Sequence, residues 1–395
     1  MSAYSSTDGG KHWSEADATA LRDAPGGCVD GDPAVAIAPS GRQYAGFLAE
    51  TPCGSKPRVY VATRAGPRAA WEPATRAVAP LQRETSDDKP ALAVDSSDSS
   101  PHRGRIYVAW ARNREATVKS QGLDSGAILI VHSDDGGRTW SPPARVSPAT
   151  QLAFSASVAV APNSRVFVAW DDPGNQGLWI DRAADGVHFG EDRLVAPYPP
   201  LVVERCDVYG NSIPAQPYRC VRPNPVLSLD SRAHRPMRAY VTYGNIEAND
   251  SQGIFLVAFD SNLRAVIGNP NGDGGVRIGP ADGRVPSDQF WPASAFDPTS
   301  GLLWICYYDT RGDKTRRSAS FTCLATRDGR RWLGPKRVAS VSSDGRTTRR
   351  TGSSSETTKA LASPAVARIR SGQTRETCAL ARRRYIRRRS AQQTR

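Results

Sequence analysis

Several common classes of protein leave no trace in this 395-residue sequence. No stretch approaches about eighteen uncharged apolar residues, which excludes a transmembrane helix. The five histidines are scattered and form no H-E-x-x-H motif, so we expect neither a metal site nor another cofactor. A G-x-S-x-G nucleophile elbow, a P-loop and a twelve-residue calcium loop are also absent. The start, Met1-Ser2-Ala3-Tyr4, lacks the basic and apolar regions of a signal peptide.

Most of the chain also lacks an excess of charge of one sign. Residues 341–395 hold 14 of the 52 basic and 3 of the 39 acidic side chains, a net of +11 out of +13. Residues 1–340 therefore carry only +2. The basic tail contains one aromatic residue, Tyr385, whereas single-strand binders interleave several. We therefore expect a disordered basic arm and no nucleic-acid partner.

Six of the seven cysteines fall into neighbouring pairs, and the seventh, Cys378, lies in the tail. The pairs are Cys28 with Cys53, Cys206 with Cys220, and Cys306 with Cys323. If the apolar segments Leu302–Tyr308 and Ser318–Ala325 form a hairpin, the third pair comes within disulfide reach. Three disulfides would indicate a secreted, cell-surface or periplasmic protein. Buried thiols in a cytosolic protein are the alternative.

The chain repeats one pattern five times: an apolar strand, a turn and an aromatic-rich strand. The steps between copies are 57, 66, 69 and 67 residues, measured at Ala38, Asp95, Ala161, Asp230 and Asp297. The second strands include Arg105–Trp110, Arg165–Trp170 and Arg238–Tyr243. Such alternation of apolar residues suits a sheet that is buried on both faces. A period of this size, with about four strands in each copy, predicts a β-propeller.

A sharper motif lies in the second half of several copies. The pattern S-x-D-x-G-x-x-W occurs twice, through Ser6, Asp8, Gly10 and Trp13 and through Ser133, Asp135, Gly137 and Trp140. Shortened forms carry Asp185 with Phe189 and Asp328 with Trp332. We expect each aspartate to accept hydrogen bonds from the amides of a hairpin turn, while glycine takes a left-handed conformation. These residues therefore predict a structural role.

This motif resembles the Asp-box, or BNR repeat, of the sialidase superfamily, and the resemblance spans about residues 4–340. It weakens at Val59–Trp71 and Gly253–Val266, where the expected Asp is absent. The resemblance implies an all-β, six-bladed β-propeller over residues 1–340, with five full repeats and an N-terminal half blade. In that family the boxes lie on outer strands, away from the ligand.

The two ends of the predicted ring do not match. The chain opens inside a blade, because Ala3–Trp13 corresponds to a third strand and its turn. The closing strand pair should fall near residues 357–366, but Arg-rich sequence without alternation follows Thr357–Val366. We hypothesise that the reading frame is lost soon after Asp344, which leaves the last blade incomplete and makes 341–395 a basic tail of low order. A real basic tail behind an unusual closure is the alternative.

Polar residues gather in the loops that converge on one end of a propeller axis, where binding sites commonly form. Loops leading into the innermost strands carry Asp30, Asp32, Asp87, Asp88, Lys89, Arg219, Arg222, Asn224 and Asp288–Trp291. Loops after the second strands carry Arg112, Arg114, Asp171, Asp172, Glu247, Asp309 and Arg311. The insert Val202–Asn224 is the longest of these loops, and it could wall one side of a pocket.

The resemblance to sialidases implies three arginines that hold a substrate carboxylate, a Tyr–Glu nucleophile pair and an aspartate acid/base. The family's Arg-Ile-Pro motif is absent, and Ser212-Ile213-Pro214 is the nearest string. We expect Arg222 and Arg311 to face the axis, with Asp88 and Asp288 as acid candidates. Tyr308 and Tyr209 are candidate nucleophiles. The alternative is a loop-capping role for the aspartates and a solvated surface position for the arginines.

The sequence thus predicts a monomeric, secreted-type propeller with a glycan partner. One hypothesis is exo-α-sialidase-type glycoside hydrolysis of terminal sialic acid or related glycans. The other is a non-catalytic propeller that binds carbohydrate or protein partners through the same funnel. An arginine trio beside a Tyr–Glu pair at the axis would distinguish the two.

Overall fold

All regular structure in the described part of the protein is β-structure, as expected. The computed structural model describes residues 3–8, 12–16, 27–77, 85–114, 126–148, 153–197, 223–230, 232, 235–247, 251–268, 274–279, 287–339 and 342–344. Within these ranges there is no helix, and hence none long and apolar enough to cross a membrane.

A short hairpin precedes five antiparallel sheets. The hairpin pairs β1 (Ala3–Ser5) with β2 (Ser14–Ala16). Sheet 1 contains β3 (Cys28–Ile37), β4 (Gln43–Glu50), β5 (Pro57–Arg64) and β6 (Thr75–Arg76). Sheet 2 contains β7 (Thr85–Val94), β8 (Ile106–Arg114), β9 (Gly126–Ser133) and β10 (Ala144–Arg145). Sheet 3 contains β11 (Phe154–Val160), β12 (Val166–Asp172), β13 (Gly177–Ala183) and β14 (Arg193–Pro197).

The last two sheets carry one additional short strand each. Sheet 4 contains β15 (Val226–Asp230), β16 (Arg238–Ile246), β17 (Gln252–Phe259) and β18 (Ala265–Ile267), and β19 (Val276–Ile278) also pairs with β17. Sheet 5 contains β20 (Gln289–Asp297), β21 (Leu302–Asp309), β22 (Ser318–Thr326) and β23 (Trp332–Arg337), and β24 (Ser343–Asp344) pairs with β22.

Each sheet is a meander whose strands pair in chain order. The first strand of every sheet contacts the first strand of the next sheet, in the series β3, β7, β11, β15 and β20. This succession of four-stranded meanders corresponds to the blades of a propeller, in which each first strand is the innermost. The structure thus contains the five predicted full repeats, and a sixth blade remains a prediction. Residues 345–395 lie outside the described ranges.

Apolar side chains fill the space between consecutive sheets. One aromatic residue in the second strand of each sheet packs against the preceding sheet: Trp110, Trp170, Tyr243 and Tyr307 lie in four successive cores. Phe47, the corresponding residue of sheet 1, lies in a core on the face that points away from sheet 2. Near this face, Arg64 lies 4.5 Å over the Trp71 ring and donates a hydrogen bond to Ser5 Oγ in the hairpin.

The predicted turn-capping role of the box aspartates agrees with the hydrogen bonds. Asp135 accepts hydrogen bonds from the Arg138 and Thr139 amides (2.9 and 3.0 Å) and from the Thr139 hydroxyl, which holds the pKa of its carboxyl well below the usual range. Gly137 has φ +90°, and a Cβ there would lie 3.2 Å from the Thr63 methyl group. Trp140 packs in the core between sheets 1 and 2.

The other boxes repeat this arrangement. Asp185 accepts from the Val187 and His188 amides, and Asp328 from the Arg330 and Arg331 amides. The turn within Gly253–Val266, where the motif has no match, is capped by Asp260, which accepts from the Asn262 and Arg264 amides. Asp8 accepts from the His12 amide, but Trp13 is 50% exposed.

Two of the three predicted disulfides are present. Cys28 bonds to Cys53, and Cys306 bonds to Cys323 directly across the β21–β22 pair, as the hairpin argument predicted. The third pair, Cys206 and Cys220, lies outside the described residues, as does Cys378.

Candidate functional site

Polar side chains collect where the first strand of each sheet begins and the second ends. Antiparallel pairing brings these two points together: Cys28 lies opposite Glu50 in sheet 1, and Gln289 opposite Asp309 in sheet 5. The described residues of the loops predicted to carry function therefore lie at a single edge of the sheets. We call this edge the mouth.

A backbone irregularity recurs at the mouth in every sheet. One non-glycine residue near the start of each first strand has a positive φ between 43° and 50°: Asp32, Lys89, Ser155, Asn224 and Trp291. Proline follows all of them except Ser155. The strand register shifts at these positions in sheets 1, 2, 3 and 5, as in a β-bulge. Such conformations are strained for non-glycine residues and cluster at functional sites.

A buried aromatic ring supports each irregularity. In sheet 5, Phe290 pairs with Tyr308 and Ala293 with Cys306, so that Tyr307 alone lies opposite the bulge. The residues in this position are Phe47, Trp110, Trp170, Tyr243 and Tyr307, and all are fully buried. Because these rings fill the cores between sheets, the bulge residues are held at the rim by the same packing that stacks the sheets. The sequence pattern predicts the aromatic strands but not the bulges.

Sheets 1 and 2 form an acidic corner at the mouth. Burial, with the charge of Asp88, raises the pKa of Asp32 to about 6, although the Lys89 ammonium opposes the shift. Asp32 of β3 and Asp88 of β7 are thus close neighbours, although they belong to different sheets. Burial and the charges of Glu50 and Asp88 raise the pKa of Asp30 as well. A carboxyl group whose pKa is raised to about 6 can act as a general acid or base at mildly acidic to neutral pH.

Behind this corner lies a buried ion pair. The Asp87 side chain is 0% exposed and accepts hydrogen bonds from Trp110 Nε1 (2.9 Å) and from Arg112 Nε (2.8 Å). Asp87 of β7 thereby holds the Trp110 ring and the Arg112 guanidinium, which both belong to β8, in place. On the far side of the mouth, Ser155 Oγ donates to Asn224 Oδ1 at 2.8 Å, which links the bulges of sheets 3 and 4.

Sheet 5 contributes an aromatic corner. Trp291 packs edge to face against Phe290 and Tyr308, with ring centroids 5.4 and 6.0 Å away. Phe290 stacks on Tyr308 at 5.6 Å, and Tyr308 contacts Phe321 edge to face at 5.2 Å. Phe290 is buried, whereas the other three rings are partly exposed.

The predicted site residues therefore occupy different environments. Asp88 lies in the acidic corner and Tyr308 in the aromatic corner. Asp288 is fully buried and accepts a hydrogen bond from the Gln252 amide at 3.2 Å, which ties sheet 5 to sheet 4. Arg311 is exposed and donates to Asp309 through Nε at 2.7 Å. Arg222, Tyr209 and the rest of the long insert from 202 to 222 lie outside the described residues.

Arginines of the described mouth face carboxylates of the same chain. Arg112 pairs with Asp87, Arg311 with Asp309, and Arg277 of β19 with Glu247 at the end of β16. Within the described ranges, no group of three or more His, Cys, Asp and Glu side chains could hold a metal ion.

Structural comparison finds proteins of low sequence identity. A Hadza microbial sialidase shares 13% identity at a TM-score of 0.49, and the match covers 82% of this chain and 61% of the sialidase. An ulvan lyase from a new family of polysaccharide lyases shares 13% identity at 0.49, over 81% and 75% of the two chains. An α-L-arabinanase of Penicillium chrysogenum, complexed with arabinobiose, shares 13% identity at 0.46, over 75% and 80%.

No protein-family model matches the chain. Comparison with curated proteins gives no match either. A functional assignment therefore depends on the residues at the mouth.

Proposed function

We propose that this protein is a sialidase-like glycoside hydrolase that cleaves glycosidic bonds at the mouth. The observation that carries the proposal is the Asp32–Asp88 pair, in which the pKa of Asp32 is raised to about 6. A raised carboxyl pKa keeps an acid protonated for transfer to a leaving-group oxygen, as glycosidases require. The Asp-box turns of the sequence support the family type.

We assign the two carboxyl groups to one role. Carboxyl groups that flank a glycosidic bond are about 5 to 10 Å apart, whereas Asp32 and Asp88 are immediate neighbours, and Asp88 helps to raise the pKa of Asp32. They would therefore act as one acid/base unit: the protonated carboxyl gives its proton to the glycosidic oxygen, and the pair later accepts a proton from water. A separate nucleophile, water or a side chain, would attack the anomeric carbon. We assign Asp288 to the sheet 4–sheet 5 contact, because it is fully buried.

Non-catalytic glycan binding is the second candidate function. It is favoured by the arginines Arg112, Arg277 and Arg311, which are engaged by carboxylates of the chain itself. A sialidase-type carboxylate clamp needs guanidinium groups that turn towards the substrate. For both functions we propose a secreted or cell-surface location, because stable disulfides form in oxidising compartments.

Fluorophore release from a panel of 4-methylumbelliferyl glycosides, sialoside included, tests hydrolysis. We expect Asp32→Asn and Asp88→Asn to lower kcat/KM by about 10²- to 10⁴-fold. Activity should fall as the pH rises through about 6, because Asp32 then loses its proton. Asp98→Asn is the matched control, since the Asp98 side chain is 90% exposed on the surface.

Two results would contradict the proposal. One is full activity of both acid variants, which would place the chemistry elsewhere. The other is glycan binding without release of fluorophore from any glycoside, which would favour the non-catalytic function.

A further inference from the structure

Trp291 is the aromatic exception among the five bulge residues. The other four are Asp32, Lys89, Ser155 and Asn224, all polar and all compatible with hydrogen bonding at the rim. A bulky residue at φ +50° is a conformational outlier, because its Cβ crowds the backbone. Such strain persists where the surrounding structure imposes it, often for a functional reason.

The Trp291 indole is held from behind rather than covered. Phe290 and Tyr308 meet it edge to face, and they stack on each other, so that the ring is braced on a rigid pair. The indole remains partly exposed at the mouth. A braced, partly exposed aromatic face loses little conformational entropy when a flat apolar surface binds to it.

The charges of the described mouth disfavour an anionic ligand. Asp30, Asp32, Glu50 and Asp88 lie together at the mouth ends of β3, β4 and β7, and the Lys89 ammonium partly offsets their charge at Asp32. Removing a ligand carboxylate from water beside this corner would place it among carboxyl groups that already repel one another. A neutral sugar avoids this penalty, and its hydroxyl groups can donate hydrogen bonds to the carboxylates.

We propose that Trp291 is a stacking platform for the C–H face of a sugar ring and that the mouth selects neutral glycans over anionic ones. The proposal rests on the proposed glycoside hydrolase function, because it names the substrate class of that same site. In this arrangement Trp291 binds the apolar face of the sugar, while the acidic corner accepts hydrogen bonds from sugar hydroxyls. Trp291 is thus a specificity-determining residue and takes no part in proton transfer.

Isothermal titration calorimetry tests the proposal with defined probes. The neutral probes are galactohexaose, arabinohexaose, xylohexaose and cellohexaose, and the anionic probes are 3′-sialyllactose and hexagalacturonate. Titrations use the Asp32→Asn protein, which prevents turnover if the proposed acid is correct, and the wild type in parallel. Trp291→Asn is the informative variant, because sheet 4 carries Asn224-Pro225 at the same bulge and asparagine tolerates a positive φ. Trp13→Asn is the matched control at an exposed tryptophan.

We expect at least one neutral probe to bind and both anionic probes to bind about tenfold more weakly or not at all. Trp291→Asn should weaken neutral-probe binding about tenfold, Trp291→Phe by less, and Trp13→Asn not at all. If Trp291→Asn does not fold, as judged by circular dichroism, the Trp291→Phe titration and protection of the wild-type indoles from acrylamide by a neutral probe take its place.

Three results would overturn the inference: no binding of any neutral probe, tighter binding of an anionic probe, or unchanged affinity in the folded Trp291 variants. Failure of the proposed function has a different signature. Trp291-dependent binding of a neutral probe without hydrolysis of any glycoside would retain the platform in a non-catalytic protein.

Discussion

Breaking the Asp87–Arg112 pair is the sharpest test of how the mouth is built. The perturbation is Asp87→Ala. Asp87 is 0% exposed at its side chain and Arg112 is 11% exposed, so that the substitution leaves a nearly buried guanidinium without its carboxylate. It also removes the acceptor of Trp110 Nε1, whose ring supports the Lys89 bulge.

The expected magnitude follows from burial. Removing one partner of a buried ion pair costs about 3–5 kcal/mol, because the remaining charge stays desolvated. Arg58 increases the penalty, since burial lowers its pKa and Asp87 partly offsets the repulsion between Arg58 and Arg112. We therefore expect Asp87→Ala to lower the free energy of unfolding by about 3–5 kcal/mol. The exposed control Asp98→Ala should change it by less than about 0.5 kcal/mol.

Urea unfolding followed by tryptophan fluorescence and circular dichroism measures the effect, and a double-mutant cycle isolates the pair. Arg112→Met should also be strongly destabilising, because it removes the guanidinium that pairs with the buried Asp87 carboxylate. The double variant Asp87→Ala/Arg112→Met should lose less than the sum of the single losses, with a coupling of about 2 kcal/mol or more. Additive effects, or a loss below about 1 kcal/mol for Asp87→Ala, would refute the argument from burial.

Three further predictions concern stability. Because the pKa of Asp32 is raised from 3.8 to about 6, the folded state holds a proton that the unfolded chain releases between these pH values. In urea titrations, the stability of the wild type should therefore fall relative to that of Asp32→Asn as the pH rises from 4 through 6. A stability difference that does not change with pH would count against this prediction. Trp140→Ala should cost about 2–3 kcal/mol because its ring packs between sheets, whereas Trp13→Ala should cost under about 1 kcal/mol, and equal losses would argue against the packing difference. Replacing Cys306 and Cys323 by alanine removes a bridge between residues 17 positions apart and should lower the free energy of unfolding by about 3 kcal/mol. An unchanged midpoint of chemical denaturation would exclude a stabilising bridge.

The repeat could be predicted because its signal is local. Apolar alternation at Ala34–Ile37 and Arg165–Trp170 specifies strands, and the Ser133–Trp140 turn specifies its own hydrogen bonds within eight residues. The Cys306–Cys323 bridge was predictable for the same reason, since a hairpin with a short connection places the two residues opposite each other. None of these features needs a contact from a distant part of the chain.

The bulges could be predicted only in part. Asp32 and Asn224 belong to residue types that visit a positive φ, and proline follows both, so that a turn-like signal was present. Lys89 and Trp291 carry no such signal, because their local preference opposes the conformation. Their backbone is imposed by the register with β8 and β21, where one buried ring lies opposite two residues.

By itself, the sequence determined the all-β class, the five strand repeats, the capped turns and two disulfides, because period, turn chemistry and hairpin geometry act over short distances. The tertiary structure alone decided which polar residues became partners. Asp32 and Asp88 come from different sheets and interact because sheet stacking brings the bulges together, while similar-looking Asp288 is buried between sheets 4 and 5. Burial and neighbouring charge, which determine a carboxyl's pKa, are properties of the assembled sheets and not of any one strand.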